Sequence, residues 1–307
     1  GLPPVVALSF ASEDHLRHVN GGVLSPRGMM IVAGSDAREP FDKDINAMGL
    51  HEIPVEDARR IVPILNPATV AYAAHADHAW DIDTDLLLQN FAREARGNGA
   101  QIRTGQRVSA IVRTATGWAV TTPQGSFEAR ILVNAAGAWV DEVAAMAGVR
   151  PLGFTPYRRS MARIPAPGGH DTRSWPMIFG GGESWYAKPD AGALIVSPAE
   201  EHKMLPHDAW ADELVLAEGL ARYEEMVTEP VTRLLASWAG LRTFAPDRAL
   251  VIGPASDEPA FFWLAGQGGY GFQTAAGASQ LAADLIAGRA SALGAETVAT
   301  LSPRRLD

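Results

Sequence analysis

The chain has 307 residues, a net charge of −9 and a pI near 5.4, with 47% hydrophobic and 20% charged residues. That length suits two intimate domains of a globular protein, and the acidic balance argues against nucleic acid as a main partner. The absence of cysteine excludes disulfides, thiolate metal sites and cysteine nucleophiles, and points to a reducing, cytoplasmic setting. No apolar run approaches a membrane span, and residue 1 onward lacks the pattern of a signal peptide.

In chain order, 5–19 reads as an amphipathic stretch and 29–33 (MMIVA) as a strand after a proline turn. Residues 52–61 read as a short helix with Pro54 in its first turn. His75 and His78, three apart, read as a solvated loop rather than a metal pair, and no metal site is expected. The clearest helix is 80–97, capped by Asp83 or Thr84, with Leu86, Leu87, Phe91 and Ala95 on its apolar face and Gly97 or Gly99 at its end. Short strands follow at 101–103, 108–113, 118–122 and 127–129. A buried strand then enters NAAGAW, 134–139, and a helix. From Pro151 the texture is β-like, at 157–164, 175–179, 184–188 and 193–197, before a helix at 209–226 and strands at 233–241 and 249–252. The last strand, 261–265, runs into a glycine cluster and a helix from about 273 to 286.

Two turns carry chemistry. Gly266, Gly268 and Gly271 satisfy G-x-G-x-x-G between a strand and a helix N-terminus, an anion and cofactor cradle. No second strand with an acidic end follows, so this is not the ADP-binding turn of a dinucleotide unit. In NAAGAW, Ala135, Ala136 and Gly137 clear space at a strand end, where open α/β sheets bind ligands. Tight helix–strand packing with no ligand is the alternative for both turns.

Four stretches occur in order: NAAGAW, PYRRS (156–160), WAGLRTFAPDRALVIGP (238–254) and GQGGYGFQTA (266–275). With SWYAKPDAG and the terminal LSPRRL they resemble the D-amino-acid oxidase superfamily of FAD-dependent amine oxidoreductases. Within it the sequence is most similar to the D-arginine dehydrogenase type. The resemblance implies an α/β (α+β) fold: a glutathione-reductase-like FAD-binding domain with an inserted antiparallel-sheet substrate domain. The expected division is 1–33, 80–150 and 238–307 for the cofactor, and 34–79 with 151–237 for the substrate. The family's first βαβ unit, which holds the ADP half of FAD, would precede Gly1, and without it the chain is expected to hold FAD poorly.

The resemblance also implies roles. Arg242 anchors the α-carboxylate of a small-molecule D-amino acid, its planar fork matching the two oxygens. An ion pair of Arg242 with Asp247 is the alternative. Tyr186 donates its phenol to the same carboxylate, or is a half-buried sheet tyrosine. Arg159 is a second pocket arginine, unless Arg158 and Arg159 form a solvated pair. Gly269 offers its carbonyl to the amine. Gly268, Tyr270, Gly271 and Gln273 touch the flavin, as do Ala135, Ala136, Gly137 and Trp139. Hydride then passes from Cα to flavin N5, without a strong general base. Met29 stands where the D-arginine type carries a glutamate, so the side-chain pocket is expected to take apolar or neutral D-amino acids. The alternatives are a glycine or sarcosine-type secondary-amine oxidase, or a binding protein without flavin. Oxidase and dehydrogenase are not distinguished, nor is the electron acceptor.

Overall fold

The computed structural model describes all 307 residues, and its centre is a nine-stranded mixed sheet. Met29–Ala33 pairs in parallel with Met177–Gly180 and antiparallel with Tyr72–Ala76. Tyr186–Asp190, Ala193–Ser197 and the long strand Thr155–Pro165 continue the sheet antiparallel. Ala236–Phe244 pairs along nearly the whole of Thr155–Pro165. Residues 29–33 and 238–244, grouped from sequence with the cofactor segments, are thus strands of this sheet. One face buries the main core, in which Met30, Ile178, Ala187 and Val196 meet Leu216 and Tyr223 of the helix Glu213–Glu225.

A smaller sheet orders Val251–Pro254, Phe261–Ala265 and Leu132–Asn134. Phe261–Ala265 and Leu132–Asn134 run parallel, with Trp263 opposite Asn134. Both glycine turns therefore leave neighbouring strands at their carboxyl ends. The helix Pro3–His18 packs on the helix Gly271–Ile286 so closely that a Cβ on Gly277 would meet Leu8 O at 2.8 Å. Ser12 Oγ accepts from the Gly277 N–H there, at 2.9 Å.

Several local expectations are corrected. Residues 101–103 form no strand and are exposed, because no neighbouring strand offers them a ladder. The 80–97 segment splits into a strand, Trp80–Ile82, and a helix, Thr84–Gly97, whose Asp83 cap accepts from Leu86 N–H at 2.9 Å. Leu86 is exposed, and the buried face is Leu87 with Asn90. The 52–61 segment likewise begins as strand, His51–Ile53, before the helix Val55–Ile61. His75 lies in the strand Tyr72–Ala76 rather than in a loop.

Tyr223 offers a stability test. Its ring is buried edge-on against Trp185 at 5.3 Å, and its hydroxyl has no hydrogen-bond partner. Burial holds the phenol well above its usual pKa, so it stays neutral. Tyr223→Phe removes an unmet polar group and is expected to be neutral or stabilising by up to about 1 kcal/mol in urea denaturation. A loss of about 1 kcal/mol or more would mean that the hydroxyl is satisfied in solution.

Candidate active site

The strand Ala236–Phe244 joins the two halves of the site. Its register sets Arg242 opposite Tyr157 and Gly240 opposite Arg159, so both arginines project from one sheet face. Tyr186 belongs to the same face: its hydroxyl reaches Met161 Sδ at 3.5 Å, and Arg159 Cζ lies 5.9 Å from its ring centroid. Arg158 projects to the other face, 3.7 Å from Glu200 and 3.3 Å from Asp212. Arg158 and Arg159 are each only 7% exposed, which corrects the reading of a solvated pair.

Arg242 is half-buried and makes no ion pair with the protein. Asp247, its alternative partner, is held by Arg305 at 2.7 and 3.0 Å. Burial is the main force pulling the Arg242 pKa below its usual value. The Tyr186 phenol and Glu201 oppose it, while Arg159 adds like-charge repulsion. A guanidinium in this setting gains most from an incoming carboxylate.

The glycine loop sits directly on this strand. Gly268 N–H donates to Thr243 O at 2.9 Å. A Cβ on Gly269 would approach Arg242 Nη1 to 3.2 Å, which puts the exposed Gly269 beside the anchor. Tyr270 meets Phe244 edge-on at 6.4 Å. The 137–139 turn also packs against this strand. Ala135 and Gly137 are exposed, Ala136 and Trp139 half-buried, and Asn134 pins the turn by donating to Val140 O at 2.8 Å.

The cradle suits a flavin. The helix Gly271–Ile286 starts with no side-chain cap and no acidic residue in its first turn. By contrast, Asp83 and Asp212 cap two other helices. Uncapped N–H groups and the helix dipole favour a partly anionic ligand. A Cβ on Gly137 would meet only open space, so that turn is free for a ligand to approach. Gln273 is committed to Ser9 Oγ at 2.9 Å, on the helix Pro3–His18.

The family model described as FAD dependent oxidoreductase matches residues 3–285. The chain belongs to the FAD-dependent oxidoreductase family. It is 25% identical over 234 residues to hydrogen cyanide synthase subunit HcnC of Pseudomonas aeruginosa, covering 72% of this chain and 52% of that protein. It is 27% identical over 255 residues to human mitochondrial dimethylglycine dehydrogenase, covering 76% of this chain and 29% of that protein. The chain thus spans about half, or less, of the length of these relatives. Among solved structures it is similar to glycine oxidase from Geobacillus kaustophilus, with a TM-score of 0.79 and 21% identity over 98% of this chain and 82% of that one. FAD is the cofactor of the family, and the two turns and the uncapped helix fit it. No helix of this family member is long and apolar enough to cross a membrane.

Several residues beside the candidate site are scarcely signalled by the sequence. Met177 is opposite Met29, and Phe179 packs on Tyr186 at 5.9 Å, so both join the face that carries Met29. Glu201 and Arg248 flank Arg159. Alternation along 177–180 gave a weak signal for the first pair. Nothing local signals the second.

Proposed function

We propose that the chain oxidises neutral or apolar D-amino acids to imino acids, on the pattern of the D-arginine dehydrogenase type but with a different side-chain pocket. The observation that carries this reading is an unpaired, half-buried Arg242 beside Gly269 and Tyr186, at the mouth of the flavin cradle. Arg242 receives the α-carboxylate on its two-pronged fork, with Arg159 alongside. The Tyr186 phenol turns from Met161 toward the same carboxylate, and the Gly269 carbonyl accepts from the amine. FAD, when bound, supplies the hydride acceptor for Cα. Fixing the carboxylate and amine fixes which face of Cα is presented, and such orientation supplies much of the rate.

The substrate side chain lies over Phe179, Met177 and Met29, on the face shared with Tyr186. Thioether side chains adapt to varied apolar shapes and offer nothing to a guanidinium or ammonium. D-Met, D-Leu and D-Phe are therefore expected to exceed D-Arg and D-Lys in kcat/KM with a dye acceptor. Met29→Glu should shift the ratio toward basic substrates about tenfold or more. A wild-type preference for D-Arg, or an unmoved ratio, would place the side-chain pocket elsewhere.

A second reading is oxidation of a secondary amine such as an N-methylated glycine. The names of the similar glycine oxidase and dimethylglycine dehydrogenase favour it. Sarcosine and dimethylglycine assayed beside D-Met separate the two.

A further inference from the structure

We propose that Arg248 is a positioning residue: by holding Glu201, it keeps Arg159 open to the substrate carboxylate. This rests on the assignment of Arg159 and Arg242 to carboxylate binding.

Two guanidiniums here face one carboxylate. Arg248 Nη2 reaches both oxygens of Glu201, at 2.9 and 3.0 Å. The same carboxylate lies 3.6 Å from Arg159 Nη2 and makes no hydrogen bond to it. Arg159 Nε is buried with no partner at all. A buried guanidinium with unmet donors draws in any carboxylate within reach. Glu201 is that carboxylate, and Arg248 Nη2 holds it off.

The backbone supports the assignment. Arg248 has φ +65°, in the left-handed region that glycine and asparagine adopt far more readily. Its N–H closes the turn on Ala245 O at 2.9 Å, and its guanidinium lies 3.9 Å from the Phe244 ring centroid. An arginine kept at an unfavourable backbone position, with its side chain braced on the aromatic ring beneath the glycine loop, points to use of the side chain. Without Arg248, Arg159 is the cation left at ion-pair distance from Glu201. Closing that 3.6 Å gap turns Glu201 into an internal competitor for the place of the substrate carboxylate.

The test uses Arg248→Asn, since asparagine tolerates this φ and misfolding is avoided. D-methionine is the probe, by calorimetric titration of the chain and by steady-state kinetics of the flavin-loaded enzyme. Arg248→Asn should raise Kd and KM about tenfold or more and leave kcat within about twofold. The double variant Arg248→Asn/Glu201→Gln should return Kd to within about threefold of wild type, because the competitor has lost its charge. An unchanged Kd in Arg248→Asn overturns the proposal. So does a double variant no better than the single, which would mean that Arg248 only supports the turn. Arg242→Ala is the control. If it weakens D-methionine binding while Arg248→Asn does not, this inference alone fails. If it too leaves binding unchanged, the carboxylate site lies elsewhere and both readings fall.

Discussion

Arg242→Ala is expected to lower kcat/KM for D-amino acids at least about thirtyfold, with flavin content unchanged. Truncating one partner of a buried, hydrogen-bonded charge pair costs about 2–5 kcal/mol, and the lower end of that range sets the thirtyfold figure. The structure strengthens the expectation, because no acid is within ion-pair distance of the guanidinium: Asp247 belongs to Arg305 and Glu201 to Arg248. Arg242→Lys should recover only part of the loss, since an ammonium cannot make the planar two-point contact. Normal kinetics in Arg242→Ala would reassign the residue to packing.

Gly268→Ala should be the most damaging single methyl in the glycine loop. Gly268 has φ +53°, and an added Cβ would fall 2.2 Å from the ring of Phe244, which is itself buried. Left-handed backbone and overpacking together predict a loss of about 2–4 kcal/mol in denaturant unfolding, with weakened flavin binding. Gly137→Ala shares the positive φ but meets no neighbour, so it should cost only about 1 kcal/mol. Equal, small losses at both positions would mean that Phe244 moves aside freely.

Much of this architecture is readable in the residues themselves. The strands 29–33, 193–197 and 261–265 are apolar runs bounded by turn residues, and each forms where the pattern puts it. The helix Arg38–Met48 is hidden because its sequence, REPFDKDINAM, buries only Phe41. Packing against the sheet and a left-handed Gly49 define it instead. The strand Tyr72–Ala76 is alanine-rich, and the ladders to Met29–Ala33 and His51–Ile53 make it a strand.

The site divides in the same way. Arg242, Tyr186 and the glycine loop stand in recognisable motifs. Glu201 and Arg248 are 47 residues apart and meet only in the folded chain. No periodicity carries such a contact. Arg159 illustrates the limit, since sequence names it but cannot say that it is buried while its neighbour Arg158 faces the opposite side.

The strand Ala236–Phe244 carries Arg242, receives the glycine loop through Thr243 and Phe244, and backs the 137–139 turn. The proposed carboxylate grip and cofactor seat therefore share one piece of main chain and cannot drift independently. On the proposed function, substitutions at Met29, Met177 and Phe179, which lie outside this strand, would alter the side-chain pocket without disturbing the seat. On the same reading, new substrates would arise there first, while the face of Cα presented, set by the shared strand, would be the last property to yield.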